Sequence, residues 1–100
     1  MSQSEFPMLT KLMAGYLNMD AVEMTGYKEL KGMVKYYTTR VSKKSLCRLL
    51  EELDIFEKSA NDLDSEFEKS FDYGFNIEYY AGNTVKLFEV VREIVWKKIC

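Results

Sequence analysis

The sequence predicts an all-α fold, a single compact domain spanning residues 1–100 and built from about five short amphipathic helices. Three observations lead there. Apolar residues recur at three- and four-residue spacings along most of the chain, which is the period of one helix face. Residues suited to helix capping precede several of these stripes, and glycines follow some of them. The length of 100 residues matches a common domain size, and 47% apolar with 14% aromatic residues is ample for a core.

Each element follows from local signals. Pro7 suits a first helical turn, and Met8, Leu9, Leu12, Met13, Tyr16 and Leu17 continue at helical spacing, so helix one is expected over about 6–18. Thr25 is the expected cap of a second helix whose stripe is Tyr27, Leu30, Val34 and Tyr37; Gly32 weakens it and marks a close approach. Ser42 caps a third, with the clearest stripe of all: Leu46, Leu49, Leu50, Leu53 and Phe56. A fourth follows 59–61, carries Leu63, Phe67 and Phe71, and is expected to end in a left-handed cap at Gly74. The last begins at Asn83 or Thr84 and buries Leu87, Phe88, Val91, Ile94 and Val95, with Lys97 and Lys98 at its negative dipole end.

Two segments strain this pattern. Val34–Ser42 is rich in β-branched and aromatic residues, and Phe75–Tyr80 alternates apolar and polar, so a short extended segment near 75–80 is compatible with the sequence. No internal repeat, low-complexity tract or linker divides the chain. Met8, Met13, Met19, Met24 and Met33 read as adaptable core or shoulder residues. Trp96 falls off the last stripe, and Cys47 reads as small buried filling beside the leucines.

Composition narrows the chemistry. The chain has no histidine, so triads and dyads that need one are excluded. The five glycines form no phosphate-binding loop. Cys47 and Cys100 are too few for a four-cysteine zinc site and are expected to be free thiols. Asp62, Asp64 and Glu66 alternate like calcium ligands, but Phe67 and Tyr73 stand where that loop needs glycine and glutamate. No enzymatic activity, cofactor or metal is expected. No basic apolar leader and no run near the ~18 apolar residues of a membrane span is evident, so a cytoplasmic protein without membrane contact is expected.

The net charge of −2 conceals strong segregation. Residues 25–50 carry seven bases and one acid, whereas 51–82 carry two bases and ten acids. Lysines at i,i+4, which normally neutralise a surface helix, are scarce in the acidic stretch. Tyrosines follow it. Carboxylates with interleaved tyrosines suit a basic protein partner, because opposite charge speeds encounter and tyrosine supplies contact area. The candidate contact residues are Glu51, Asp54, Asp62, Asp64, Glu66, Glu68, Asp72, Tyr73, Glu78, Tyr79 and Tyr80. The alternative is a small nucleic-acid-binding or regulatory helical domain using the basic segment 28–44. The acidic block disfavours a polyanion unless the two surfaces point apart.

The order of motifs resembles a family of small immunity proteins from contact-dependent growth inhibition systems. Phe6, Pro7, Leu9, Tyr16 and Asp20 match its opening segment; Leu49, Leu50, Glu52 and Leu53 match its middle helix; Gly74, Tyr79, Gly82, Thr84, Leu87 and Phe88 match its close. Met19 replaces an expected glutamine, and Leu87-Phe88 replace a Trp-Leu pair. The resemblance implies a protein without catalysis that binds and neutralises the toxin domain of its cognate effector, often a nuclease. The expected partner is therefore a basic, nuclease-type toxin domain held by a monomer in a 1:1 complex, with no direct nucleic-acid contact.

Overall fold

The computed structural model describes residues 5–99, which form seven helices in order: α1 (Pro7–Gly15), α2 (Ala21–Thr25), α3 (Leu30–Thr38), α4 (Lys43–Ser59), α5 (Leu63–Ser70), α6 (Ile77–Tyr80) and α7 (Thr84–Ile99). Among the described residues there is no strand. Cys100 lies outside them.

The expected stripes make the core. Met8, Leu9, Leu12 and Met13 are buried on α1, Leu46, Leu49, Leu53 and Phe56 on α4, and Leu87, Phe88, Val91, Ile94 and Val95 on α7. α7 packs against α3, α4 and α5, while α1 lies on α4. Phe56 stands at an aromatic junction, with the rings of Phe6, Phe67, Phe71 and Phe88 centred 5.2–6.4 Å away. Edge-to-face pairs of this kind add to the burial of each ring. Arg92 fastens α7 to α4 through Asp54 at 2.9 Å and Glu57 at 2.6 Å.

α1 begins without a capping side chain of its own. Its first free amides, those of Met8 and Leu9, donate instead to Oε1 of Glu52 on α4, both at 2.9 Å. Glu52 is fully buried, and its Oε2 accepts from Arg48 Nε at 3.1 Å. A buried carboxylate at a helix N-terminus meets both orphan donors and the positive dipole end. Pro7, at the first helical position, has no amide to satisfy.

The structure corrects several local expectations. Thr25 does not cap the second long helix: it closes the one-turn α2, where its hydroxyl donates to the Ala21 carbonyl at 2.8 Å. Gly26, at φ +78°, ends that turn in a left-handed conformation that a side chain would strain. α3 then starts at Leu30, and the Tyr27 ring lies over Gly32, where an added Cβ would come within 2.5 Å of it. α1 stops at Gly15 rather than continuing to 18. α5 ends at Ser70, ahead of Gly74; that glycine, at φ +81°, belongs to a turn in which the Tyr73 carbonyl accepts from Met19 N at 3.0 Å. The segment 75–80 is not extended, because Asn76 caps α6 by accepting from Tyr79 N at 3.0 Å. Val34–Thr38 is likewise helical, as its apolar residues serve α3.

Side-chain placement differs in two respects. Cys47 is exposed, since it falls beside and not on the leucine face of α4. Met8, Met13 and Met33 are core residues, whereas Met19 and Met24 are exposed, and so is Trp96.

Candidate partner-binding surface

α5 presents Asp64 and Glu68 one turn apart, and Asp72 follows at the same spacing just beyond its end. A four-residue interval keeps side chains on one helix face. The turn after Phe71 carries the chain back so that Phe75, Asn76 and α6 face this row, and Glu78 closes it. Together with Gly82 and Asn83 ahead of α7, these residues line an open groove of about 480 Å³. Four carboxylates, those of Asp64, Glu68, Asp72 and Glu78, therefore stand around one concavity whose apolar lining is Phe71, Phe75 and Ile77.

The carboxylates differ in their commitments. Asp64 Oδ1 accepts from Thr84 N at 2.8 Å and so caps α7 from a neighbouring helix. The side-chain and backbone hydrogen bonds from Thr84 hold its carboxyl below the ordinary value. Among the described residues, no ion pair reaches Glu68, Asp72 or Glu78. Two cations border the groove: Lys69 shares an adjoining hollow with Ser65, Glu68 and Asp72, and the Lys86 chain lies against Gly82. The local charge remains strongly negative.

Aromatic residues form the rim. Tyr79 is 77% exposed, and its ring meets that of Tyr80 edge-on at 4.9 Å. Tyr80 in turn stacks on Phe75, with centroids 4.6 Å apart. Stacking fixes Tyr80 and leaves Tyr79 as the projecting side chain.

The remaining candidates lie elsewhere. Glu51 pairs with Arg48 at 3.5 Å and Asp54 with Arg92 at 2.9 Å, both on α4 and outside the groove. Asp62 caps α5 by accepting from Ser65 N at 3.3 Å. Glu66 is partly buried, with Oε2 shielded and unpartnered among the described residues. Tyr73 is half-buried. The groove also recruits Asn76 and Asn83, which sequence reasoning passes over; as polar residues ahead of helices they are visible only as caps.

The structure also places the basic residues. Lys31 and Lys35 of α3 meet Lys97 and Lys98 of α7 around a second groove of about 400 Å³, with Glu93, Ile94, Thr38 and Thr39. Glu93 pairs with Lys97 at 3.1 Å. Hydrogen bonding to Lys97, and the fields of Lys97, Lys31 and Lys35, lower the Glu93 carboxyl from its ordinary value.

No set of three Cys, Asp or Glu side chains among the described residues could hold a metal ion. No helix formed by them is long and apolar enough to cross a membrane. A family model described as "CdiI immunity protein" matches residues 5–94. Neither a curated protein nor a solved structure matches the chain.

Proposed function

We propose, from the premise that the chain belongs to the CdiI immunity protein family, that it neutralises a basic, nuclease-type contact-dependent growth inhibition toxin by stoichiometric binding through the acidic groove. Family membership supports a role in immunity to such a toxin. The observation that carries the finer reading is the convergence of Asp64, Glu68, Asp72 and Glu78 around one groove, three of them without an ion pair among the described residues.

Isolated exposed carboxylates repel one another and weaken a fold slightly, so an unneutralised set on a concave surface is best relieved by a cationic partner. A nuclease domain must present lysines and arginines to phosphates. Those side chains would meet the groove, while Tyr79 offers a large, low-entropy contact at its edge. The carboxylates occupy the place that substrate phosphates take, and inhibition follows from occupancy. Attraction between the two surfaces raises the association rate and makes it sensitive to salt.

The test is the affinity and association rate of the protein for its genetically paired toxin domain across a salt series. Charge reversal of Glu68, Asp72 and Glu78 together should slow association by about 10- to 1000-fold at low salt and flatten the salt dependence. Unchanged affinity and unchanged protection of cells carrying the triple variant would refute the assignment of this surface.

A further inference from the structure

We propose that the groove between α3 and α7 binds the phosphodiester backbone of a nucleic-acid strand through Lys31, Lys35, Lys97 and Lys98. The charge distribution in the chain disfavours a polyanion only if the acidic and basic surfaces are neighbours. They are not. The acidic groove is built around Gly82 and Asn83 at the N-terminal end of α7, and the basic groove around Glu93 to Lys98 at its other end. At ~1.5 Å per residue the two lie roughly 15–20 Å apart along the helix axis. That is about twice the Debye length of ~8 Å at physiological salt, so each groove acts on its ligand nearly alone.

The tertiary fold makes this site. Lys31 and Lys35 sit one turn apart on α3, and α7 brings Lys97 and Lys98 across from them from more than sixty positions away. Four ammonium groups around a hollow of about 400 Å³ form a denser charge than one carboxylate can balance. Glu93, the only acid lining it among the described residues, already shows what the groove favours, because three lysines stabilise its ionised form. The Thr38 and Thr39 hydroxyls donate to the Lys35 and Tyr36 carbonyls, at 2.7 Å each, so no hydroxyl proton is left to recognise the shape of a small anion. What remains is a set of point charges, with Lys97 shared with Glu93 at 3.1 Å. Such a set suits a polyanion that carries one phosphate on every nucleotide and is held by charge rather than by shape, as a nucleic-acid strand is.

The proposal does not rest on the toxin-binding reading: a toxin held at the acidic end leaves the basic end open. The test is fluorescence polarisation of a labelled single-stranded oligonucleotide with the full chain, titrated with salt. Four phosphate contacts predict that log K falls with log salt at a slope of roughly −3. The combined variant Lys31→Gln, Lys35→Gln and Lys97→Gln should bind at least tenfold more weakly, with a slope reduced by about 2. Lys43→Gln with Lys44→Gln, outside the groove, should bind within about twofold of the parent, and circular dichroism confirms that each variant is folded. No binding at low salt would overturn the proposal. So would a groove variant that binds like the parent, a Lys43/Lys44 variant that loses as much, or displacement of the strand by polyglutamate at equal charge. Charge reversal at Glu68, Asp72 and Glu78 should not weaken oligonucleotide binding, which separates failure here from failure of the toxin surface.

Discussion

Replacing Glu52 with alanine removes the one group that meets the Met8 and Leu9 amides among the described residues, each 2.9 Å from Oε1. Both amides lie in a buried first turn, and an orphaned buried donor costs about 1–3 kcal/mol. The lost link to Arg48 counts for less, because that side chain is 50% exposed and solvent screens it. The two amides together cost about 2–6 kcal/mol, centred near 4 kcal/mol. Glu52→Gln keeps an oxygen facing both amides and loses the charge that complements the dipole, so its cost should be about 1–2 kcal/mol. Urea unfolding followed by circular dichroism measures both, and for a domain of this size the alanine variant should melt roughly 15 °C or more below the parent. Hydrogen exchange at the two amides localises the effect. A loss below about 1 kcal/mol for Glu52→Ala, or equal losses for the two variants, would show that the carboxylate does not hold α1 in this way.

Further outcomes follow from buried or constrained groups at three positions. The Tyr37 hydroxyl is buried with no partner among the described residues, so Tyr37→Phe should leave stability unchanged or raise it by about 1 kcal/mol; a clear loss would reveal a partner. Burial, then the neighbouring Tyr16 and Glu52, push the Tyr37 hydroxyl above its ordinary 10.0, so stability present below that pH should fall as pH rises past it, and Phe should reduce that slope in alkaline urea titrations. Gly74→Ala should cost about 1–2 kcal/mol by thermal melting, because φ is +81° and the new Cβ would stand 2.9 Å from Met19 Cβ; a neutral result would contradict the left-handed turn. Asp64 is held below its ordinary 3.8, so its contribution is present above that pH and disappears as pH falls through the lower folded value; Asp64→Asn should flatten stability in that acid window, and an unchanged acid limb would refute the cap on α7.

Long helices with a single clear stripe were legible in the sequence. Leu46, Leu49, Leu53 and Phe56 define α4, and Ser42 caps it, accepting from Ser45 N at 3.2 Å. α2 and α6 were not, since a helix of one turn is too short to display a period and exists through local devices, Gly26 in one case and Asn76 in the other. Glu52 counts as a surface acid when carboxylates are tallied, yet it lies three residues after Leu49 and four before Phe56, on the buried face. An acid on an apolar stripe is the available signal. Of the groove, the four-residue spacing of Asp64, Glu68 and Asp72 is visible in the sequence, while the approach of Glu78 depends on the turn between α5 and α6. Lys97 and Lys98 read as dipole partners of their own helix, and only the packing of α7 on α3 sets them beside Lys31 and Lys35.

The link from Glu52 to Met8 spans 44 positions, and this has a consequence for the order in which the chain acquires structure. Synthesis delivers α1 before α4, yet nine residues are too few for a helix to persist alone in water. Its first turn waits for a carboxylate translated 44 positions later. The earlier of these two helices to emerge is thus fixed only after the later one, and while it waits its methionines and leucines are accessible to chaperones and proteases. Closure of α1 onto α4 then commits both helices in one event, and a folding defect placed in α4 should be felt first in α1.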